Sequence, residues 1–446
     1  MNTMKLRNLY ESRTKETNGR WRFLTEMRQG LGLCDKEGND NKDFAGNRIL
    51  KDRSVRPEQF SLQELAESIV GPSWRQIFNP ESGTMNQYTV ARSLVETGFP
   101  NEQRALVEAT GFGLDPSAFL NINTFTSIVG GLVEVKILEA FQNPALIADR
   151  LMPVESTKLN GQKIIGLQNI GDRGRKRGPG ETHPRAQFGE RWIETPETRE
   201  NALALDVLKE TVFFDLTGAI LQQASSIGTE LAYRKELEVI DTFLGVNNSF
   251  KYSGTAYNTF QTSRTLGYLN AHTNQLVDWT SLQSAYMLFM RQEDPHTAKR
   301  LLITPDTILV NPARMATINL IIGASSTDRR TTPGSTQATA SELNIASTPG
   351  NPYSGQFNVV TSPLVEQRCL AADGLNLSQA NTDGLWFMMQ AGKPFRYMQN
   401  FPLTVTQASP SQYEMLDRGI VASYFAEERG IPSVWSPWHI VKNNNA

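Results

Sequence analysis

One short stretch of the chain has the residue types for binding acidic groups. Residues 169–192, NIGDRGRKRGPGETHPRAQFGERW, are broken by glycines and contain few apolar side chains. The cations in this stretch are Arg173, Arg175, Lys176, Arg177, Arg185 and Arg191. Guanidinium and ammonium groups bind carboxylates and phosphates. The stretch therefore predicts a contact with acidic protein surface or with a nucleic-acid backbone, and a solvated surface loop is the plain alternative.

The rest of the composition shows that any such contact is local. The chain has 446 residues, a formal net charge of −2 and 39% hydrophobic residues, which is ample for a core. This length predicts two or three domains, or one large domain with insertions. The N-terminal residues lack an apolar signal segment and no run of 18 apolar residues occurs, so we expect neither secretion nor a membrane partner.

Catalytic and metal-binding motifs are sparse. Cys34 and Cys369 lie far apart without neighbouring ligand residues, which predicts free thiols in a reducing compartment and a buried, apolar role for Cys369. The four histidines are widely spaced, and no phosphate loop or nucleophile elbow occurs. Glu427 and Glu428 are adjacent, so in a strand they point to opposite faces. We expect no enzyme activity, no cofactor and no metal.

The N-terminal region differs from the rest of the chain in amino-acid composition. Residues 1–60 are polar and rich in both charge signs, which predicts an extended arm. Short helices are predicted over 61–71, with a Ser61 and Glu64 capping box, and over 101–111. The cations near the start of the arm are Arg7, Arg13, Lys15, Arg20 and Arg22.

Hydrophobic periodicity organises the remainder. A buried helix is predicted over about 125–141, and strands flanking the basic stretch, with the second in NALALDVLKETVFF, predict a protruding hairpin. The segment of about 28 residues that ends at Gly245 has apolar residues at helical spacing, which predicts a helix roughly 40 Å long. A further helix over 279–294 and a strand, turn and helix over 300–324 follow, so the class is α+β or α/β.

The last third predicts more strands. Residues 323–356 form a low-complexity polar loop, and FNVVTSPLVE and GLWFMMQAG then predict strands. Two further strands are predicted in VASYFAEERG and PSVWSPWHIV at the C-terminus.

This order of elements resembles the major capsid proteins of tailed bacteriophages, which have the Hong Kong 97 capsid fold. The resemblance covers roughly residues 119–446. It depends on the polar arm, the charged hairpin, the long helix, the strand followed by LVNPARMATINLI, and the closing DRGIVASYFAEERGIPSVWSPWHIV. In the last segment Glu427, Glu428 and Arg429 precede a final strand with prolines nearby.

The resemblance implies an α+β, Hong Kong 97-like architecture and a division of the chain. The implied parts are an N-terminal arm with short helices (1–118), a peripheral domain (119–160, 201–262 with the spine helix, and 396–446), an extended loop (161–200) and an axial domain (263–395). It also implies that the basic loop contacts an adjacent subunit. The basic arm is then an intersubunit strap, with a DNA contact or a solvated tail as alternatives.

The implied function is a major capsid protein that self-assembles into an icosahedral shell of pentamers and hexamers around double-stranded DNA. Further implied partners are a portal and scaffolding or decoration proteins, with DNA on the inner face bound without sequence specificity. The implied location is the virion, after assembly in the host cytoplasm. An encapsulin-type compartment that encloses cargo enzymes is the closest alternative, and a nucleic-acid-binding protein or an enzyme is the alternative from another class.

Overall fold

The structure is a computed structural model. It describes residues 19–43, 46–57, 116–142, 146–167, 179, 190–208, 217–247, 250–295, 298–324, 351–408 and 417–443. The helices predicted over 61–71 and 101–111, and most of the polar loop predicted over 323–356, lie outside these residues. Helix and strand are both abundant and do not alternate regularly along the chain, which confirms the α+β class.

The α-helices are α1 (Gly19–Gly30), α2 (Pro116–Phe141), α3 (Ala148–Leu151), α4 (Thr217–Leu244), α5 (Trp279–Met290), α6 (Met315–Gly323), α7 (Pro363–Leu370) and α8 (Gln379–Gly384). The strands are β1 (Val154–Ser156), β2 (Lys163–Leu167), β3 (Glu190–Glu194), β4 (Arg199–Leu208), β5 (Lys251–Tyr252), β6 (Thr255–Ala256), β7 (Ala271–His272), β8 (Thr307–Val310), β9 (Asn358–Thr361), β10 (Trp386–Met389), β11 (Phe395–Ala408), β12 (Ile420–Val434) and β13 (Ile440–Asn443). Short 3-10 helices lie at Pro312–Arg314 and Pro437–His439.

Chain packing divides the protein into two compact units. The first contains Met1–Pro144, Arg199–Arg234 and Asn400–Arg429, and the second contains Ala145–Thr198, Lys235–Gln399 and Gly430–Ala446. These units describe packing within one subunit, so the arm, loop, peripheral and axial boundaries drawn from the sequence stay predictions.

The first unit contains α1, α2, the N-terminal half of α4 and three strands. Helices α2 and α4 approach closely at Gly228, where an added Cβ would collide with the backbone carbonyl of Ile137 and lie 2.9 Å from Ala140 Cβ. Glycine is therefore required at the helix crossing.

The strands of this unit pair in one sheet. Strand β12 lies between β11 and β4, and Ser423 Oγ of β12 donates to Asp206 Oδ1 of β4 at 2.6 Å.

The second unit is built on a mixed five-stranded sheet in the order β7-β13-β10-β8-β9. Its central strand β10 pairs antiparallel with both β13 and β8, and every residue from Trp386 to Met389 is buried. A strand that is buried on both faces has apolar residues at consecutive positions, so the sequence of β10 does not alternate between apolar and polar residues.

The predicted long helix is confirmed as α4. Its C-terminal half is fixed within the second unit by buried polar contacts. Glu236 accepts hydrogen bonds from the backbone N–H groups of Ile147 (3.0 Å) and Ala148 (2.8 Å). Lys442 Nζ donates to the carbonyl of Leu244 at 3.1 Å, at the end where the helix dipole favours a cation.

Other sequence predictions need correction. The strand predicted in FNVVTSPLVE ends at Thr361, because Ser362 caps α7 and Pro363 occupies its first turn. The two strands predicted in VASYFAEERG and PSVWSPWHIV are present with other bounds: β12 continues into the second segment as far as Val434, and β13 begins only at Ile440, after the 3-10 helix at Pro437–His439. At Gly430 the Tyr397 ring occupies the space that a side chain would fill, so the strand can pass this point because the residue is glycine.

Candidate intersubunit surface

The predicted hairpin is present, with a different second strand. Strands β2 and β3 pair antiparallel from Lys163 opposite Glu194 to Leu167 opposite Glu190. The segment NALALDVL, predicted to close the hairpin, forms β4 in another sheet. The prediction was wrong because ERWIE offers only two apolar residues, whereas NALALDVL has the clearer alternation.

This correction relocates one predicted contact residue. Arg191 lies within β3, at the base of the loop. The other predicted loop cations, Arg173, Arg175, Lys176, Arg177 and Arg185, lie outside the described residues.

One face of the hairpin strands is exposed and amphipathic. Ile165 is 67% exposed and stands opposite Trp192 in the register. Trp192 Nε1 donates to Glu194 Oε1 at 3.0 Å, and Lys163 Nζ lies 3.6 Å from the same oxygen. The hydrogen bond from Trp192 is the main cause that holds the pKa of Glu194 below its ordinary value, and Lys163 adds to it. An aromatic ring and an exposed aliphatic residue beside an ion pair are typical of protein interfaces.

The opposite face of the hairpin carries Arg191 and Ile193. Ile193 and its cross-strand neighbour Tyr252 pack against the core of the second unit, and burial raises the pKa of Tyr252. Arg191 is half-buried, and its Nε atom is buried without a hydrogen-bond partner among the residues that the structure describes. The positive charge of this guanidinium acts on Tyr252, whose pKa it lowers against the effect of burial.

The predicted arm is more structured than an extended segment. Arg20 and Arg22 fall within α1, and Arg7, Arg13 and Lys15 lie outside the described residues. After α1 the chain folds against α2: Arg48 contacts Glu134 and lies 3.0 Å from Asp40, and Arg53 Nη1 lies 3.2 Å from Glu139 Oε1. The docked part of the arm thus finds its charge partners within its own subunit.

A tandem repeat that the sequence analysis missed explains the fold of this arm. The segments DKEGN (35–39) and DFAGN (43–47) begin eight residues apart. In each, the aspartate carboxylate accepts a hydrogen bond from the backbone of the asparagine four residues later, at 2.9 Å for Asp35 and 2.8 Å for Asp43. Gly38 and Gly46 take the left-handed conformation, with φ of 87° and 86°. The Asp, Gly and Asn residues of each segment are typical of turns, so the repeat can be recognised in the sequence from its turn residues and not from apolar periodicity.

The structure shows the surroundings of several groups that could do acid–base or nucleophilic chemistry. Cys369 is buried as predicted, and burial raises its pKa to about 12. Burial lowers the pKa of His439 to about 4, and its Nδ1 lies 2.7 Å from Ser436 Oγ. Glu428 is buried while Glu427 is half-exposed, as expected for opposite faces of a strand.

Two absences are limited to the described ranges. Within them, no three histidine, cysteine, aspartate or glutamate side chains come together as a metal site would require. None of the described helices is both long and apolar enough to cross a lipid bilayer.

Comparison with known proteins places this surface in context. A family model described as "Phage capsid protein" matches residues 194–432, more than half of the chain. No curated protein matches the sequence. The chain belongs to this phage capsid protein family, which confirms the class of protein predicted from its sequence.

Solved structures that are similar to this chain include three from different sources. A chain of Mycobacterium phage Ogopogo is 15% identical, with 68% of this chain and 93% of that chain covered and a TM-score of 0.36. The capsid of a native GTA particle is 10% identical, covering 68% and 90%, with a TM-score of 0.39. A virus-like particle from Pyrococcus furiosus is 11% identical, covering 70% and 97%, with a TM-score of 0.35. The family assignment depends on the family model and not on these distant likenesses.

Proposed function

We propose that this chain is the major capsid protein of a tailed bacteriophage and that many copies assemble into an icosahedral shell of pentamers and hexamers around double-stranded DNA. Membership in the phage capsid protein family supports this function. The observation that carries the assembly role is the hairpin, because its exposed face presents Ile165 beside Trp192 and the ion pair of Lys163 and Glu194. The chain is then a structural protein of the virion without enzyme activity, assembled in the host cytoplasm.

In this proposal the hairpin binds an adjacent copy of the chain. The basic residues Arg173, Arg175, Lys176, Arg177, Arg185 and Arg191 pair with acidic groups of that copy. Several partly buried ion pairs fix the register of two surfaces and discriminate against wrong partners more than they add affinity. Closed symmetry requires that every copy uses the same patches. A portal, scaffolding or decoration proteins, and DNA held without sequence readout are the further partners.

A charge-removal variant tests the loop directly. Changing Arg173, Arg175, Lys176 and Arg177 to Ser together should leave a folded subunit whose assembly is impaired and depends differently on salt. The matched control changes the exposed Lys36, Lys42, Lys51 and Arg418 to Ser, which removes the same charge outside the hairpin sheet. Unchanged shells from the loop variant would remove the loop from the mechanism.

A crosslinking experiment identifies the partner of Arg191. Arg191→Lys puts a primary amine at the loop end of β3, and carbodiimide joins amines to carboxylates in direct contact. Shells made from mixed ¹⁵N-labelled and unlabelled copies should yield crosslinked peptides of mixed isotope content. Crosslinks confined to single copies would contradict an intersubunit role for this residue.

The contents of the particle separate the proposal from the encapsulin-type alternative. Nuclease-resistant particles from infected cells that contain this chain and genomic DNA support a viral capsid. Particles that contain a cargo enzyme and no DNA would favour a compartment shell instead.

A further inference from the structure

The base of the hairpin is formed by two short segments that lie beside each other in the second unit. Residues 157–162 lead into β2, and residues 195–198 follow β3. Both ends of the hairpin therefore pass through this one point of the fold. The contacts between these two segments, together with the pairing of β3 with β5, set the direction in which the hairpin leaves the subunit.

Two pairs of residues join the segments. Gln162 N donates to Thr195 Oγ1 at 2.8 Å, and Thr195 N donates to the carbonyl of Gln162 at 2.9 Å. Asn160 Oδ1 accepts from both Thr198 N (2.9 Å) and Thr198 Oγ1 (3.1 Å). The second pair depends on the side chain of Asn160, which accepts from both the backbone and the hydroxyl of Thr198, because the paired strands begin only at Lys163 and Glu194.

The threonine side of the base is buried and anchored. Thr195 and Thr198 are 8% and 6% exposed, whereas Asn160, on the other segment, is exposed. Thr157 Oγ1 donates to Gln162 Oε1 at 2.9 Å, and Thr157 N donates to the carbonyl of Gln399, in β11, at 2.8 Å. The network therefore ties the base to a long strand of the same unit.

We propose that Asn160 and Thr198 are positioning residues that lock the angle of the hairpin, and so set the curvature at which one copy of the chain binds the next. The inference rests on the proposed assembly function. Strand β2 alone extends about 16 Å beyond the base, so a rotation of about 10° there moves its far end by about 3 Å. A shift of that size changes which residues of a neighbouring copy the hairpin contacts.

Thr198→Val tests the lock, because valine has nearly the shape of threonine and lacks the hydroxyl. Shells of this variant, imaged by electron cryomicroscopy, should have a broader distribution of diameters and a several-fold lower closed fraction than wild type. Thr198→Ser keeps the hydroxyl and should restore the wild-type distribution. Lys158→Ala, at an exposed position in the same segment, is the control and should also give wild-type shells.

Asn160 gives an independent test with its own conservative variant. Asn160→Asp keeps an acceptor oxygen for Thr198 and should give wild-type shells, whereas Asn160→Ala should broaden the diameters. Thermal melting of the unassembled subunits checks that each variant folds. This test remains informative if Thr198→Val fails to fold.

The outcomes separate the two proposals. If wild-type protein forms shells, and Thr198→Val and Asn160→Ala form shells of the same diameter distribution, the lock is overturned while the assembly function stands. If wild-type protein forms no shells under any condition, the assembly function itself fails, and the lock with it.

Discussion

The N-terminal arm and the hairpin are both basic surface segments, and they differ in where their charges find partners. In the arm, Arg48 contacts both Asp40 and Glu134 of its own subunit. In the hairpin, Arg191 has no hydrogen-bond partner for its buried Nε among the described residues. We propose that similar residue types serve folding in the arm and assembly in the hairpin. Substitutions in the arm should change the stability of the subunit, and substitutions in the hairpin should change assembly.

The largest expected effect is in the arm. Glu134→Ala leaves the half-buried Arg48 without one of its carboxylates and should lower the free energy of unfolding of the subunit by about 3 kcal/mol. Urea unfolding followed by circular dichroism measures this. Glu139→Ala removes the more exposed partner of Arg53 and should cost less than about 1 kcal/mol. Equal losses in the two variants would contradict the assigned difference in burial.

The corresponding change in the hairpin should affect assembly more than the stability of the subunit. Arg191→Gln should change the free energy of unfolding by less than about 0.5 kcal/mol, because its Nε makes no hydrogen bond within the described residues that the substitution could remove. It should raise the protein concentration needed for assembly about tenfold, the value of one charge-assisted hydrogen bond. Light scattering against concentration measures this, with the exposed Arg199→Gln as control. A large loss of stability without an assembly defect would place Arg191 with the arm residues.

A smaller effect is expected at the tip of the second arm repeat. Asp43→Ala removes hydrogen bonds to Asn47 at 2.8 Å and 3.1 Å and should lower the free energy of unfolding by about 1 kcal/mol. The adjacent, exposed Lys42→Ala should have no measurable effect. If both variants unfold like wild type, the repeat does not contribute to the docked arm.

The smallest effect concerns the pH response of the hairpin face. The pKa of Glu194 is below its ordinary value of 4.5, so its stabilising contribution is present above that pH and is lost as the pH falls through the lowered pKa. Trp192→Phe keeps the ring and removes the N–H donor, so the pKa of Glu194 should rise. Nuclear magnetic resonance titration of the carboxyl carbon measures it, and an unchanged pKa would show that Trp192 is not the cause.

The sequence predicted the long elements well because their signals are local. The apolar spacing from Ile220 to Leu244 and the glycine that follows are sufficient to define α4. The strand at 307–310 and the helix at 315–323 were likewise recognisable as a buried run, an Asn-Pro turn and an apolar helix.

The candidate site was harder to predict because it depends on pairing between distant segments. The polar strand β3 is defined by its register with β2 and β5, not by its own pattern. The partners of Arg48, and the lack of a hydrogen bond to Arg191 Nε within the described residues, are also tertiary facts that no spacing encodes. The bond between Asn160 and Thr198 joins residues 38 positions apart.

Light scattering coupled to size-exclusion chromatography, with electron cryomicroscopy of the leading peak, tests the central claim most directly. The account predicts that the purified chain of about 50 kDa forms megadalton particles with icosahedral outlines. A monomer or dimer at every protein and salt concentration would contradict self-assembly through the hairpin.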